Sequence, residues 1–287
     1  MSRLTRSPWR RARWDNNHPK PQMKNIHQIL TGLLASTLLI WSQPAASPAR
    51  APGYLTSEQT SGVVRVVLPA PTTGDARYQA DMAIFRATRS LEGSPRWTLA
   101  QGDDNLSIAG LLNAFRCALG LTLTPEDAPK LTGLIARAYS DAGAAANVIK
   151  IRYRHKRPFQ VAEGDVCLSP QGKLALEHSP DYPSSHAALS WDAGSILAEL
   201  VPEAAIDVLA RARAFGQSRI VCGVHNSSAV EAGWMIGAAV FAMQADSTAF
   251  QKDLDAARTE LVRLRAHITS KPTGCEAEAE TLLKYPY

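Results

Sequence analysis

The chain has 287 residues, of which 45% are hydrophobic, so it is long enough to form one large or two small domains around a real core. Its net charge of +5 originates in the first 24 residues, which hold seven Lys or Arg and one Asp. The remainder has 24 basic and 25 acidic residues. This balance excludes a general polyanion binder, so no nucleic-acid partner is expected.

Residues 1–50 predict a basic extension followed by a secretory signal peptide. A basic start precedes an apolar run at 29–41, and small residues follow it. The run is shorter than the about 20 residues that a membrane span needs, although an uncleaved anchor is the alternative. We expect cleavage within residues 46–51 and a periplasmic or secreted protein. Whether translation starts at Met1 or at Met23 stays open.

Hydrophobic periodicity beyond residue 70 is helical, and it predicts an all-α fold with a single helical-bundle domain over residues 75–268. Thr124 and Pro125 form a favourable helix start because a capping hydroxyl precedes a proline of the first turn. The predicted helices cover residues 76–91, 106–121, 125–148, 185–200, 202–215, 227–243 and 250–267. A strand candidate covers 63–68, loops cover 92–105 and 158–183, and an irregular arm (51–74) and a C-terminal tail (269–287) flank the domain.

The four cysteines are interpreted through the predicted export, because oxidising compartments permit disulfides. They are Cys117, Cys167, Cys222 and Cys275. Three pairings are open at this point, and small buried thiols are the alternative. None of the four has the C-x-x-C spacing of a zinc or redox site.

A basic cluster covers Lys150 to Arg157, where five cationic side chains occupy eight positions before Pro158. A solvated helix end, stabilised by the helix dipole, would have the same composition. The cluster gains meaning only from two further stretches of the chain.

The second stretch places Ser184, Ser185 and His186 at a predicted helix start, where a capping hydroxyl and free backbone N–H groups form a ready anion site. A structural histidine would also fit there. The third stretch places Arg219 and His225 at the two ends of an apolar run. Burial of both polar groups requires a counter-charge or a hydrogen-bond partner.

Together the three stretches have the composition of a phosphate site. Guanidinium forks and a lysine bind phosphate oxygens, and helix-start amides and hydroxyls complete the shell. Two histidines can divide the chemistry, one attacking phosphorus and the other protonating the leaving oxygen. No carboxylates are placed for a metal, so the sequence favours a metal-free phosphohistidine route without a cofactor. The candidate residues are Lys150, Arg157, Ser184, Ser185, His186, Arg219 and His225.

The order and spacing of these residues resemble the type 2 phosphatidic acid phosphatase superfamily, which also contains the vanadium haloperoxidases. Within it the chain is most similar to the bacterial class A non-specific acid phosphatases, over about residues 75–245. The matching stretches are Lys150-x6-Arg157-Pro158, Pro183-Ser184-Ser185-His186, Ser218-Arg219-x5-His225, and the segments 85–100 and 115–120. The resemblance implies a helical bundle of that kind and a secreted acid phosphatase that hydrolyses small-molecule phosphate monoesters.

The resemblance also implies roles for the candidate residues. His225 would be the nucleophile that forms a phosphohistidine, and His186 the acid that protonates the leaving oxygen and then activates water. The phosphate would be held by three cations, by Ser184 and by the backbone N–H of Ser185. The three cations are Lys150, Arg157 and Arg219.

Two positions depart from the family pattern. Ser185 replaces the usual glycine, which retains the amide but adds a side chain. Ala229 replaces the aspartate that should accept a hydrogen bond from His225. We weigh Ser228 or a water and, less favourably, Glu231 as substitutes and expect that nothing replaces the carboxylate. The sequence therefore predicts slow turnover, which Ala229→Asp should raise.

The alternative function, from a different class, is a phosphate- or phosphoester-binding protein that has lost turnover. A vanadate-dependent haloperoxidase is a third hypothesis. A lipid phosphatase of the membrane branch is disfavoured, since no segment after residue 45 is long and apolar enough to span a bilayer. Membrane contact is expected only through an uncleaved signal, and a homo-oligomer is left open.

Overall fold

A computed structural model describes residues 51–267 and 271–287. The predicted basic extension and signal peptide therefore lie outside the described residues. Eleven α-helices and no strand occur within these two ranges. The helices are α1 (Ser57–Gly62), α2 (Ala76–Thr88), α3 (Pro95–Gly102), α4 (Ile108–Leu119), α5 (Pro129–Tyr153), α6 (Pro170–Glu177), α7 (Ser185–Leu200), α8 (Ala205–Val221), α9 (Ser227–Gln244), α10 (Thr248–His267) and α11 (Cys275–Leu283).

The predicted all-α fold is confirmed, with one displaced helix start. Helix α5 begins at Pro129, not at residue 125. Thr124 and Asp127 form a local turn instead, in which the Thr124 hydroxyl donates to the Asp127 carboxylate over 2.8 Å and accepts from the Asp127 amide over 3.2 Å. Thr124 therefore stabilises a turn that precedes α5 and does not cap the helix itself.

The predicted strand at residues 63–68 is wrong. Val63–Arg65 is a 3-10 helix. Val63 and Val67 are buried while Val66 and Leu68 are exposed, so the apolar contacts recur four residues apart and not two. The β-branched residues of this segment favour a strand, but its buried residues, Val63 and Val67, are spaced as on a helix.

The two predicted loops each contain a helix, α3 and α6. Both begin with a Ser-Pro pair in which the serine caps the helix: Ser94 accepts from the Trp97 amide over 3.2 Å, and Ser169 from the Gly172 amide over 3.1 Å. These short helices have little apolar periodicity, so their Ser-Pro starts predict them better than their hydrophobic pattern does.

The segments flanking the domain are not irregular throughout. Helix α1 packs on α5, and α11 lies in the predicted C-terminal tail. A disulfide between Cys117 and Cys275 ties α11 to α4, and a second joins Cys167 to Cys222. The structure thus selects one of the three open pairings.

Helix α7 lies at the centre of the bundle and packs against α5, α8, α9 and α10. Large side chains from its neighbours, including Phe115, Phe215 and Phe250, fill the main core. Helix α9 approaches α7 closely at Gly233, where an added Cβ would lie 2.5 Å from the Ser184 carbonyl oxygen. This contact places the start of α9 beside the start of α7. None of the helices in the described ranges combines the length and apolar character of a membrane span.

Candidate active site

Two cations of the basic cluster are buried at the end of α5. Lys150 lies in its last turn, and Arg157 follows just before a 3-10 turn. The Lys150 ammonium donates to the Pro180 carbonyl, and Arg157 donates to the Ser179 carbonyl over 2.7 Å and to its hydroxyl over 3.2 Å. The alternative of a solvated helix end therefore applies to the other three cations of the cluster and not to Lys150 or Arg157. The exposed ones are Arg152, Arg154 and Lys156.

Burial changes the proton affinity of both groups. It lowers the pKa of Lys150 to about 7, and the nearby charge of Arg157 adds to the effect. It also lowers the pKa of Arg157 to about 10, so that the guanidinium stays charged at neutral pH. The site thus holds one permanent cation and one that titrates near neutrality.

The start of α7 provides the second part of the site. Ser184 is the N-cap, its hydroxyl accepting from the Ala187 amide over 3.3 Å, and Ser185 is the first helical residue. His186 follows, and its Nε2 lies 3.1 Å from the Asp104 carbonyl oxygen. Burial, followed by the charge of Arg219, holds the pKa of His186 well below its ordinary value. The imidazole is therefore neutral at neutral pH.

Arg219 lies in the last turn of α8 and is fully buried. Its Nη2 is 2.8 Å from the Asp104 carboxylate. Its Nε and Nη1 have no hydrogen-bond acceptor in the part of the chain that the structure describes. Two buried guanidinium donors are thus available for an anion, and leaving them unpaired costs free energy.

His225 lies between a cation and a carboxylate. Its Nε2 is 3.1 Å from Arg157 Nη1, and its Nδ1 is 2.8 Å from Asp181 Oδ1. Because a guanidinium only donates and a carboxylate only accepts, the ring carries its hydrogen on Nδ1 and a lone pair on Nε2. Burial, and then the charge of Arg157, hold the pKa of His225 well below its ordinary value, although Asp181 opposes them.

The expectation that no carboxylate faces His225 is wrong, since Asp181 does so. The two side chains weighed as substitutes from the sequence are engaged elsewhere. The Ser228 hydroxyl donates to the Asp81 carboxylate over 2.6 Å, and Glu231 accepts from the Ser227 hydroxyl over 3.1 Å. Ala229 itself is buried in an apolar cluster.

The structure brings the seven predicted residues into one region. Arg157 contacts His225 directly, and Asp104 contacts both Arg219 and His186. The Ser184 amide donates to the Ala229 carbonyl over 2.8 Å, which joins the start of α7 to the segment of His225. Lys150 and Ser185 line the same cavity of about 780 Å³. In the described ranges no group of three His, Cys, Asp or Glu is placed to hold a metal ion.

Sequence reasoning missed two residues of this region, Asp104 and Asp181. Asp104 lies in a predicted loop beside Asp103, and nothing in the local pattern distinguishes it. Asp181 lies two residues before Pro183 of the second stretch, and this proximity was a usable signal. It would have placed a carboxylate near His186 but not next to His225, which is 44 residues away in sequence.

Comparison with known proteins connects this geometry to a family. The sequence model of the PAP2 superfamily matches residues 131–249. An acid phosphatase of Zymomonas mobilis is 34% identical over 241 residues, covering 83% of this chain and 89% of that protein. The chain belongs to the non-specific acid phosphatases of the PAP2 superfamily. The predicted family and the predicted kind of enzyme are thereby confirmed.

Other members of the non-specific acid phosphatases agree. The Providencia stuartii enzyme is 32% identical over 214 residues, covering 74% of this chain and 86% of its own. The Salmonella typhimurium enzyme is 32% identical over 194 residues, covering 67% and 77%. The match to the family model, over residues 131–249, covers all but the first two residues of the helices that carry the candidate site, α5 to α9.

Proposed function

We propose that the protein is a periplasmic or secreted acid phosphatase that hydrolyses small phosphate monoesters through a phosphohistidine on His225. The observation that carries this proposal is the convergence of three buried cations with two imidazoles, His186 at the start of α7 and His225 just before α9. The three cations, which we call the phosphate cradle, are Lys150, Arg157 and Arg219. The cellular location rests on the signal peptide predicted within residues 1–50.

The phosphate cradle accounts for substrate binding. Arg219 offers two buried donors, and Arg157 offers Nη1, which in the structure donates to the Val224 carbonyl over 2.7 Å and to His225 Nε2 over 3.1 Å. The first amides of α7, with Ser184 and Ser185, add hydrogen-bond donors at the positive end of the helix dipole. A phosphate monoester supplies the negative charge that these buried groups lack.

The chemistry follows from the two imidazoles. His225 Nε2 attacks phosphorus in line with the ester oxygen, the P–N bond forms, and the P–O bond to the alcohol breaks. Protonated His186 donates its proton to the departing oxygen. Water then attacks the phosphohistidine, His186 accepts a proton from it, and the P–N bond breaks to release phosphate. Burial lowers the pKa of His186 and so disfavours its acid form, while the negative charge of a bound phosphate and a mildly acidic medium act in the opposite direction.

The cavity beside Lys150 and Ser185 offers space for the alcohol part of the substrate. Its volume is about 780 Å³. Leu106, Ile108 and Leu189 supply apolar walls, so selectivity for one polar leaving group is not expected.

The turnover test uses p-nitrophenyl phosphate. The purified protein should release phosphate at mildly acidic pH, and His225→Ala should abolish the release, since the nucleophile is lost. His178→Ala, a change of an exposed histidine outside the site, is the matched control and should retain activity. No turnover by the wild-type protein at any pH from about 4 to about 8 would refute the proposed function.

A second measurement tests the intermediate. Alkaline quenching during turnover should preserve phosphate on His225, because phosphohistidine is stable in base and labile in acid, and mass spectrometry should locate it there. The alternative of a binding protein without turnover depended on a missing carboxylate behind His225. Since Asp181 occupies that position, no observation favours this alternative.

A further inference from the structure

Asp181 faces His225 where the family pattern would place an aspartate at position 229, which is alanine in this chain. We propose that Asp181 is the positioning residue of the nucleophile, supplied by the segment before α7 in place of the absent aspartate. This inference rests on the proposed function, because it assigns a role within that reaction.

The carboxylate of Asp181 is fully buried and accepts four hydrogen bonds. Oδ1 accepts from His225 Nδ1 over 2.8 Å and from the backbone amide of Asn226 over 3.2 Å. Oδ2 accepts from the Asn226 side chain over 2.8 Å and from His155 Nδ1 over 3.1 Å. A carboxylate has about four lone-pair sites, so this group is fully engaged and held in one orientation.

The surroundings keep Asp181 ionised. Burial alone raises the pKa of its carboxyl, but hydrogen bonds from His155 and His225, together with the charge of Arg157, lower the pKa by more than burial raises it. The net result is a pKa well below the ordinary range. A carboxylate that stays ionised can only accept, which is what fixes the hydrogen of His225 on Nδ1.

Asp181 is also fixed to the rest of the site through its backbone and its neighbours. Its amide donates to the His155 carbonyl over 2.8 Å, while the His155 ring donates back to its side chain. The two preceding residues bind the phosphate cradle, Ser179 to Arg157 and Pro180 to Lys150. Three consecutive residues therefore position two cations and the nucleophile.

This position has two chemical consequences. With Nδ1–H donated to Asp181, the Nε2 lone pair points away from the carboxylate and toward Arg157 Nη1 at 3.1 Å, so attack on phosphorus requires this guanidinium contact to pass from the ring to the phosphate. When the P–N bond forms, the ring gains positive charge, and the carboxylate at 2.8 Å stabilises it. The proton stays on Nδ1 throughout, so Asp181 exchanges no proton and contacts no substrate atom.

Asp181→Asn tests the proposal, with Asp81→Asn as the matched control. Asp81 is also a buried carboxylate that accepts two hydrogen bonds at the start of α9, but its partner is Ser228 and not His225. We expect Asp181→Asn to lower kcat by about 10³-fold to 10⁴-fold with KM nearly unchanged, by analogy with the about 10⁴ lost in serine proteases after the equivalent change. Asp81→Asn should keep kcat near the wild-type value, because Asp81 bonds to Ser228 and not to the ring of His225.

Equal losses in the two variants, or a wild-type kcat in Asp181→Asn, would overturn the proposal. A readout independent of activity is the ¹⁵N spectrum of the His225 ring in the wild-type protein, where we expect hydrogen on Nδ1. Hydrogen on Nε2 would overturn the proposal even if Asp181→Asn failed to fold. Absence of turnover in the wild type would refute the proposed function instead, while the ring spectrum would still decide the contact with Asp181.

Discussion

The phosphate cradle and the carboxylate behind His225 arise from the sequence in different ways. The three cations occupy the positions that their family spacing predicts, whereas the carboxylate comes from residue 181 and not from 229. The segments of these two residues are adjacent, because the Ser184 amide bonds to the Ala229 carbonyl. The family pattern puts the carboxylate on one of these adjacent segments, and this chain puts it on the other. We infer that the proposed reaction needs a carboxylate at His225 Nδ1 and does not need it to come from one fixed chain position.

The largest expected effect comes from transferring the carboxylate from position 181 to position 229. Asp181→Ala should lower kcat by about 10³-fold or more, because the ring loses its acceptor and its counter-charge. Adding Ala229→Asp should recover at least about tenfold of this loss, because it puts a carboxylate at the position where the family pattern has one. Tenfold corresponds to about 1.4 kcal/mol. Steady-state kinetics of the single and double variants measure both effects.

The control for this exchange is Ala229→Asp alone. The sequence by itself predicted a gain in rate from this change. We now expect no gain, because Asp181 already occupies His225 Nδ1, and a second carboxylate in a buried apolar cluster should lower the thermal midpoint. A higher kcat in this variant would contradict the assignment of Asp181.

A smaller effect distinguishes the cations of the phosphate cradle from each other. Burial lowers the pKa of Lys150 to about 7, and a lysine is charged below its pKa. We therefore expect Lys150 to support phosphate binding in mild acid and to lose this effect as pH rises through about 7. The ratio of KM in Lys150→Met to KM in wild type should thus fall from about ten at pH 6 to near one at pH 8.

The control for the lysine change is Lys156→Met, which removes an exposed cation from the same cluster. Its KM should match the wild type across the pH range, because a solvated charge of this kind interacts weakly. If the ratio of KM in Lys150→Met to KM in the wild type does not change with pH, then Lys150 does not change its charge between pH 6 and pH 8.

The parts of the site that follow from local spacing were accessible from the sequence, and those that depend on tertiary contacts were not. The helix start at Ser184 and the spacing from Arg219 to His225 are local properties, so the cations and both histidines could be named as candidates. Asp181 is one of 26 acidic residues, and its contact with His225 depends on how α7 and α9 pack. The start of α5 was displaced for a related reason, since the Glu260 carboxylate of α10 accepts from the Lys130 amide in its first turn.

The smallest expected effect concerns Asp104, which contacts the phosphate cradle from the solvent side. Its carboxylate is 42% exposed, lies 2.8 Å from Arg219 Nη2, and is 3.7 Å from His186 Nε2. A bound phosphate must share Arg219 with this like charge, so Asp104→Asn should lower KM and the inhibition constant of inorganic phosphate together. The change should be at most about fivefold, because an exposed ion pair is worth about 0 to 1 kcal/mol.

Glu126→Gln is the matched control for Asp104→Asn. Glu126 is an exposed carboxylate near the opposite end of α5 from Lys150, and 25 residues of helix at about 1.5 Å each separate the two ends by roughly 35 Å. Both constants should stay at wild-type values in this variant. A raised KM in Asp104→Asn would reverse the interpretation, because it would mean that the carboxylate orients Arg219 for phosphate and does not compete for it.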